Sequence, residues 1–160
     1  ETPRCWSCLT NNYKYNPQRN TLEIKVVESK GFVRTEGFRI KNTSYSSTEE
    51  RKDAFGGFLA TEQGSEVTIS FTVVATYPQS ARSVGIVSRS SSNGGEVEIW
   101  LDDNNSKRTY VNLNAKADQT IVRIIGRQIT PGNHTLTMHV AKSGMSNLVG
   151  VLVGPANGPW

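Results

Sequence analysis

The feature that most constrains this chain is alternation. Between Val67 and Val74, the apolar Val67, Ile69, Phe71 and Val73 take every second position, with Thr68, Ser70 and Thr72 between them. Val97, Ile99 and Leu101 alternate in the same way with Glu96, Glu98, Trp100 and Asp102, and Leu136, Met138 and Val140 with Thr135, Thr137 and His139. Successive side chains of a strand point to opposite faces, so this period of two is the mark of a half-buried β-strand. Leu22, Ile24 and Val26 continue it upstream. Val84–Ser88, Ile121–Ile125 and Leu148–Val153 are further strand candidates, the last apolar on both faces and therefore central.

Turn chemistry separates these runs: Gln63-Gly64-Ser65, Ser92-Asn93-Gly94-Gly95, Asp102-Asp103-Asn104-Asn105 and Thr130-Pro131-Gly132-Asn133. No stretch holds a helical period. The best candidate, Ser47–Ala54, is one or two turns and carries Glu49 to Asp53 as consecutive charges. Short strands with turns between them predict an all-β fold, a two-sheet antiparallel β-sandwich of jelly-roll type. It should span residues 21–160, with residues 1–20 an aperiodic linker or strap over its edge. Ile69, Phe71, Ile99, Leu101, Leu136 and Met138 should share one core.

At 160 residues the chain is long enough for one domain with a real core. Its apolar runs are far too short to span a bilayer. The net charge is +4, but Arg4, Lys14, Arg51, Lys52, Arg108 and Lys142 are scattered rather than clustered among aromatics, which argues against nucleic acid. Without an initiating methionine or a signal-like segment, the chain reads as a mature or excised piece.

Cys5 and Cys8 form the single C-x-x-C. Zinc would need two more ligands, and His134 and His139 lie five apart in a strand-like stretch, on opposite faces. A local disulfide between the two cysteines, or pairing with cysteines elsewhere in a longer protein, fits better. Three N-x-S/T sequons begin at Asn42, Asn104 and Asn133, all in expected loops or turns. Together with the cysteine pair they point to a secreted or extracellular glycoprotein.

From residue 55 a series of segments follows in one order: Phe55-Gly56-Gly57-Phe58-Leu59-Ala60-Thr61, Glu98-Ile99-Trp100-Leu101-Asp102-Asp103 and Pro131-Gly132-Asn133-His134-Thr135-Leu136-Thr137, closing on Leu148–Val153. This order resembles the β-sandwich domain that follows the catalytic domain in some eukaryotic SGNH/GDSL-type proteins, including fungal capsule-associated and other polysaccharide-modifying proteins. More loosely it is similar to the galactose-binding-like jelly rolls that include many carbohydrate-binding modules. The resemblance covers about residues 55–153 and implies an accessory fold. The family's catalytic centre needs a Gly-Asp-Ser-type block and a later Asp-x-x-His, and this sequence has neither.

The residues offer little catalytic chemistry besides. His134 sits in a Pro-Gly-Asn-His turn that has a purely structural reading. Asp102 and Asp103, followed by Asn104 and Asn105, form an oxygen-rich loop that a calcium ion would suit, but hairpin chemistry alone accounts for it. No cofactor is required. Sugar binding needs flat aromatic faces with hydrogen-bonding neighbours. Trp100 should face away from the core beside Glu98 and Asp102, either as a ligand platform or covered by the segment holding Trp6, Phe32, Phe38 and Tyr45. Arg89 and Tyr110 are the other candidate ligand contacts, with Tyr77 and Arg82 near loops. Two functions follow: a non-catalytic module binding a carbohydrate, an acidic one in keeping with the basic balance, or a structural or interaction domain packing against a catalytic or adhesive partner, other domains of its parent protein among them.

Overall fold

The computed structural model describes residues 25–35, 39–41, 50–52, 57–73, 75 and 79–154. Strands in chain order are β1 (Lys25–Lys30), β2 (Val33–Thr35), β3 (Arg39–Lys41), β4 (Glu50–Lys52), β5 (Gly57–Ala60), β6 (Glu66–Val73), β7 (Ser83–Ser90), β8 (Glu96–Leu101), β9 (Thr109–Asn112), β10 (Gln119–Gly126), β11 (Gly132–Lys142), β12 (Ser146–Leu148) and β13 (Gly150–Gly154). A single 3-10 turn, Gln79–Ala81, precedes β7, and the described residues contain no α-helix.

One layer is a five-stranded sheet in the order β1-β6-β11-β8-β9. The alternating runs form its centre. Leu136 on β11 lies opposite Ile69 on one side and Leu101 on the other, and Met138 lies opposite Val67 and Ile99. These residues pack in one apolar core with Phe71, Val73, Val97, Val111 and Val140. All six expected core residues are in it, Leu101 only partly buried.

The opposing layer consists of two three-stranded sheets, β10-β7-β13 and β12-β5-β2, whose Val84, Ile86, Phe58, Ala60, Leu148 and Val151 complete the core. The strand pairings throughout are antiparallel, and the chain passes between layers from β6 to β7 to β8 and again from β9 to β10 to β11. The architecture is the expected β-sandwich.

Residues 146–154 join the two smaller sheets, since β12 pairs with β5 and β13 with β7. At the junction a side chain substitutes for backbone. Asn147 accepts from the Arg89 amide at 2.7 Å through Oδ1 and donates to the Arg89 carbonyl at 2.9 Å through Nδ2. Its carboxamide copies a strand residue's pair of bonds, and Ser88 Oγ donates to the Asn147 carbonyl at 2.7 Å beside it. The segment is buried on both faces, as its sequence required.

Three expectations need correction. Residues 50–52, inside the candidate helix, form strand β4 paired with β3, because consecutive charges give a helix no apolar stripe to bury. Strand β1 is exposed along its whole length, Val26 and Val27 included, because it is the edge strand and contributes nothing to the core. Asn133 lies on the first residues of β11 rather than in a turn. Cys5, Cys8, Trp6, Asn42, Phe38, Tyr45 and Tyr77, and the whole of residues 1–20, lie outside the described residues.

Replacing Asn147 by alanine leaves the Arg89 amide and carbonyl without partners in a half-buried position. Unmade bonds of that kind each cost about 1–3 kcal/mol, so the variant should lose roughly 2–6 kcal/mol in urea denaturation. Asn147→Asp, which accepts but cannot donate, should destabilise too. Stability within about 0.5 kcal/mol of the parent would mean that the layer does not depend on this amide.

Candidate functional site

Two surfaces come from the residues singled out above. The first is the outer face of the five-stranded sheet. The register pairs Trp100 with Thr137 and Glu98 with both His139 and Tyr110, so these side chains share a face opposite Ile99 and Leu101. That much follows from alternation.

Exposure does not. Trp100 is only 7% exposed. The pairing of Ile99 with Thr109 sets Arg108 opposite Trp100, and its guanidinium carbon lies 4.6 Å from the centre of the indole. Arg108 is held there by Glu98 Oε2 at 2.9 Å and by the Asn105 carbonyl, to which Nε donates at 2.8 Å. The His139 ring lies 6.4 Å away. Trp100 is therefore covered and offers no open stacking face. Its partner Glu98 is committed to Arg108.

Tyr110 is the exposed aromatic of this face and donates to Glu96 Oε1 at 2.8 Å. That bond, then burial, then the charges of Glu96 and Glu98, raise the phenol's pKa. Lys142 Nζ approaches the other Glu96 oxygen at 3.5 Å. Arg89 is elsewhere: it belongs to β7 in the other layer, where Nη1 donates to Thr120 Oγ1 at 2.8 Å. Burial lowers its pKa, and the charge of Asp118 opposes that. Trp100, Glu98 and Tyr110 come together; Arg89 does not join them.

The second surface lies at one end of the sandwich. Asp102 and Asp103 have φ of 52° and 60°, and the Asn104 amide donates to the Leu101 carbonyl at 2.9 Å. Two central residues with positive φ make a type I′ turn, which opens the 102–108 connection from β8 to β9. The Asp102 carboxylate is used within the fold, accepting from the Thr135 amide at 2.9 Å and from His134 Nδ1 at 2.6 Å. His134 Nε2 reaches the Thr130 carbonyl at 2.6 Å. Turn geometry and these bonds account for Asp102 within the fold, and among the described residues no group of three His, Cys, Asp or Glu could hold a metal ion.

Beside this turn is an open cavity of about 350 Å³ lined by Leu101, Asp102, Asn104, Lys107, Ile125, Gly126, Arg127 and Ile129. Leu101, Ile125 and Ile129 give it aliphatic walls. A Cβ on Gly126 would fall 2.8 Å from Ile129 Cδ1 and 2.9 Å from Leu101 Cδ1, so glycine lets the two layers meet there. The walls are fixed: Arg82 Nε donates to the Ile129 carbonyl at 2.7 Å, and the Ile129 amide to the Arg82 carbonyl at 2.9 Å. The Lys107 ammonium and Arg127 guanidinium make no hydrogen bond or ion pair among the described residues. Sequence reasoning missed this cavity. Its one sequence signal is that Lys107 and Arg127 each follow a turn adjoining an alternating strand.

No protein-family model and no curated protein matches the chain. Solved structures match its fold. A two-domain esterase active on acetylated mannans superposes with a TM-score of 0.52 at 15% identity, over 89% of this chain but 39% of the esterase. A second structure of that esterase, with mannopentaose, gives a TM-score of 0.53 at 14% identity, over 89% of this chain and 40% of the other. The carbohydrate-binding module CBM6cm-2 of Cellvibrio mixtus lichenase 5A, in complex with cellotriose, gives 0.51 at 13% identity, over 84% of this chain and 97% of the module. The chain therefore has a β-sandwich fold found in carbohydrate-binding proteins, and it spans about two-fifths of the esterase it resembles.

Two outcomes test this geometry. Trp100→Ala should cost about 3–5 kcal/mol of stability, as removal of a buried tryptophan does, measured by denaturation; an unchanged melting curve would mean that the indole is not packed. Glu96→Gln should bring phenolate formation at Tyr110, followed by ultraviolet absorbance against Tyr110→Phe, to lower pH. The sign follows from the raised pKa. The bond supports the fold while the unfolded phenol is still protonated, and that support is lost as pH rises through the folded pKa.

Proposed function

We propose that this chain is a non-catalytic carbohydrate-binding module of a secreted protein, with the cavity between the β8–β9 turn and the end of β10 as its site. The observation that carries the reading is the open cavity itself, in which the aliphatic Leu101, Ile125 and Ile129 lie among the polar Asp102, Asn104, Lys107 and Arg127. The C–H faces of a pyranose suit Leu101, Ile125 and Ile129, and Asn104, Lys107 and Arg127 offer donors to hydroxyl oxygens. The likeness to a module bound to cellotriose, over 97% of that module, supports the same reading. The net charge of +4 is the right sign for an acidic polysaccharide.

The reading moves the site away from Trp100, whose face is taken by Arg108. Asn133, exposed, is the acceptor for an N-linked glycan in such a secreted protein, whereas Asn104 lines the cavity and stays unmodified in this reading. A second reading, a domain that packs against a partner, draws on one observation: Val26, Val27 and Val33 are 44%, 60% and 64% exposed along the β1–β2 edge. An apolar edge of that kind suits a neighbouring domain of the parent protein.

Titration calorimetry with cello-, manno- and xylo-oligosaccharides tests the site. Gly126→Leu fills the cavity floor and Asn104→Trp blocks its rim. Each should weaken binding roughly tenfold or more, a loss of about 1.4 kcal/mol, while Tyr110→Ala leaves it unchanged. Loss in Tyr110→Ala alone would move the site to the sheet face. Absence of binding across a broad glycan array would defeat the module reading and leave the packing domain.

A further inference from the structure

We infer that the cavity selects a carboxylated sugar, a uronic acid residue of a polysaccharide, with Lys107 and Arg127 as the groups that read its carboxylate. The inference rests on the binding-module reading and adds the chemical class of the ligand. Its basis is the charge left unused around the cavity.

The described cations differ in how far they are committed. Arg108 is tied to Glu98 and Asn105, Arg82 to Ile129, Arg89 to Thr120, and Lys142 stands near Glu96. Lys107 and Arg127 line one cavity and have neither a carboxylate nor a carbonyl partner among the described residues. The acidic group in the lining, Asp102, spends both oxygens on His134 and Thr135. The lining therefore holds two cations and one carboxylate, and neither cation is paired with that carboxylate.

Chemistry narrows what satisfies such a site. A guanidinium presents a planar fork that matches a carboxylate with two parallel bonds, and an ammonium adds a mobile point charge. Both side chains are exposed, so their pull on an anion is that of solvated charges and weakens with salt. A neutral sugar would offer both cations hydroxyl oxygens but no opposite charge when it displaced their water. A nucleotide would lack a base platform, because the lining holds no aromatic side chain. A pyranose carboxylate meets every part of the lining: C–H faces on Leu101, Ile125 and Ile129, the carboxylate on Arg127 and Lys107, and hydroxyls on Asn104. A sulfate ester can also meet a guanidinium through two of its oxygens, so a sulfated sugar is the competing anion that the test separates from a uronate.

The test compares three ligands on the intact chain by titration calorimetry: a xylo-oligosaccharide, the same oligosaccharide carrying glucuronic acid, and a sulfated oligosaccharide of equal length. The uronate-bearing ligand should bind at least about tenfold more tightly than its neutral parent at low salt, and the margin should shrink as salt screens the charges. Lys107→Ala and Arg127→Ala should each reduce that margin and together abolish it. Melting should be unchanged, since neither side chain has a partner to lose. Equal affinity for charged and neutral ligands would overturn the inference and leave the module reading standing. A preference for sulfate over carboxylate, or a uronate preference that survives in the double variant, would also overturn it. No binding of any of the three, with none on a broad glycan array, would remove the module reading itself.

Discussion

Strand β11 is the constraint on which the rest of this fold depends. It pairs with β6 along one edge and with β8 along the other, so whichever side chains it buries fix the register of both neighbours. Leu136, Met138 and Val140 on one face leave a single solution. A slip of one residue would bring Thr135, Thr137 and His139 into the core, three polar groups without partners, at a cost of about 1–3 kcal/mol each. Once that register is set, Trp100 must face outward and Asp102 must fall beside Thr135. The turn at Asp102-Asp103, the grip of Arg108 on Trp100 and the walls of the cavity all follow from it.

How much of this the sequence disclosed depends on the range of the interaction that decides each feature. Alternation is local, and the central strands and their buried faces were legible from it. The Asp102-Asp103 turn was legible for the same reason, since two short polar residues tolerate positive φ at consecutive positions. Alternation gives a side chain's direction but not its depth. The outward placement of Trp100 could be read, whereas its burial depends on Arg108, eight residues along and held by Asn105 and Glu98. Strand β1 failed in the opposite sense: its pattern looked half-buried, but its place at the sheet edge left nothing to bury against.

The junction at Asn147 had no sequence signature at all. Backbone pairing gives a period of two, but an amide side chain that stands in for a backbone residue gives none, and Asn147 looks like any turn residue in a row of Ser143, Gly144 and Met145. Yet it closes the layer that faces β11, linking β7 to the segment that continues into β13. The polar atoms within that layer are chosen for geometry, since an aspartate or leucine at the position could not make the same two bonds.

The proposed site illustrates a division of labour that the fold imposes. The shape of the cavity is set by bonds that belong to folding: Arg82 with Ile129, Asp102 with Thr135 and His134, and the close approach at Gly126. Its charge is set by Lys107 and Arg127, which take no part in those bonds. Changing either cation alters what the cavity attracts without disturbing the sandwich, while changing a wall residue disturbs both. Neighbours of the same fold at 13–15% identity are what such a separation permits. The scaffold is retained by the buried faces of β6, β8 and β11, and the few exposed groups at the sandwich end are free to vary with the ligand. Preorganised walls also reduce the ordering cost of binding, so a small cavity with two unpaired cations can discriminate by charge without a large interface.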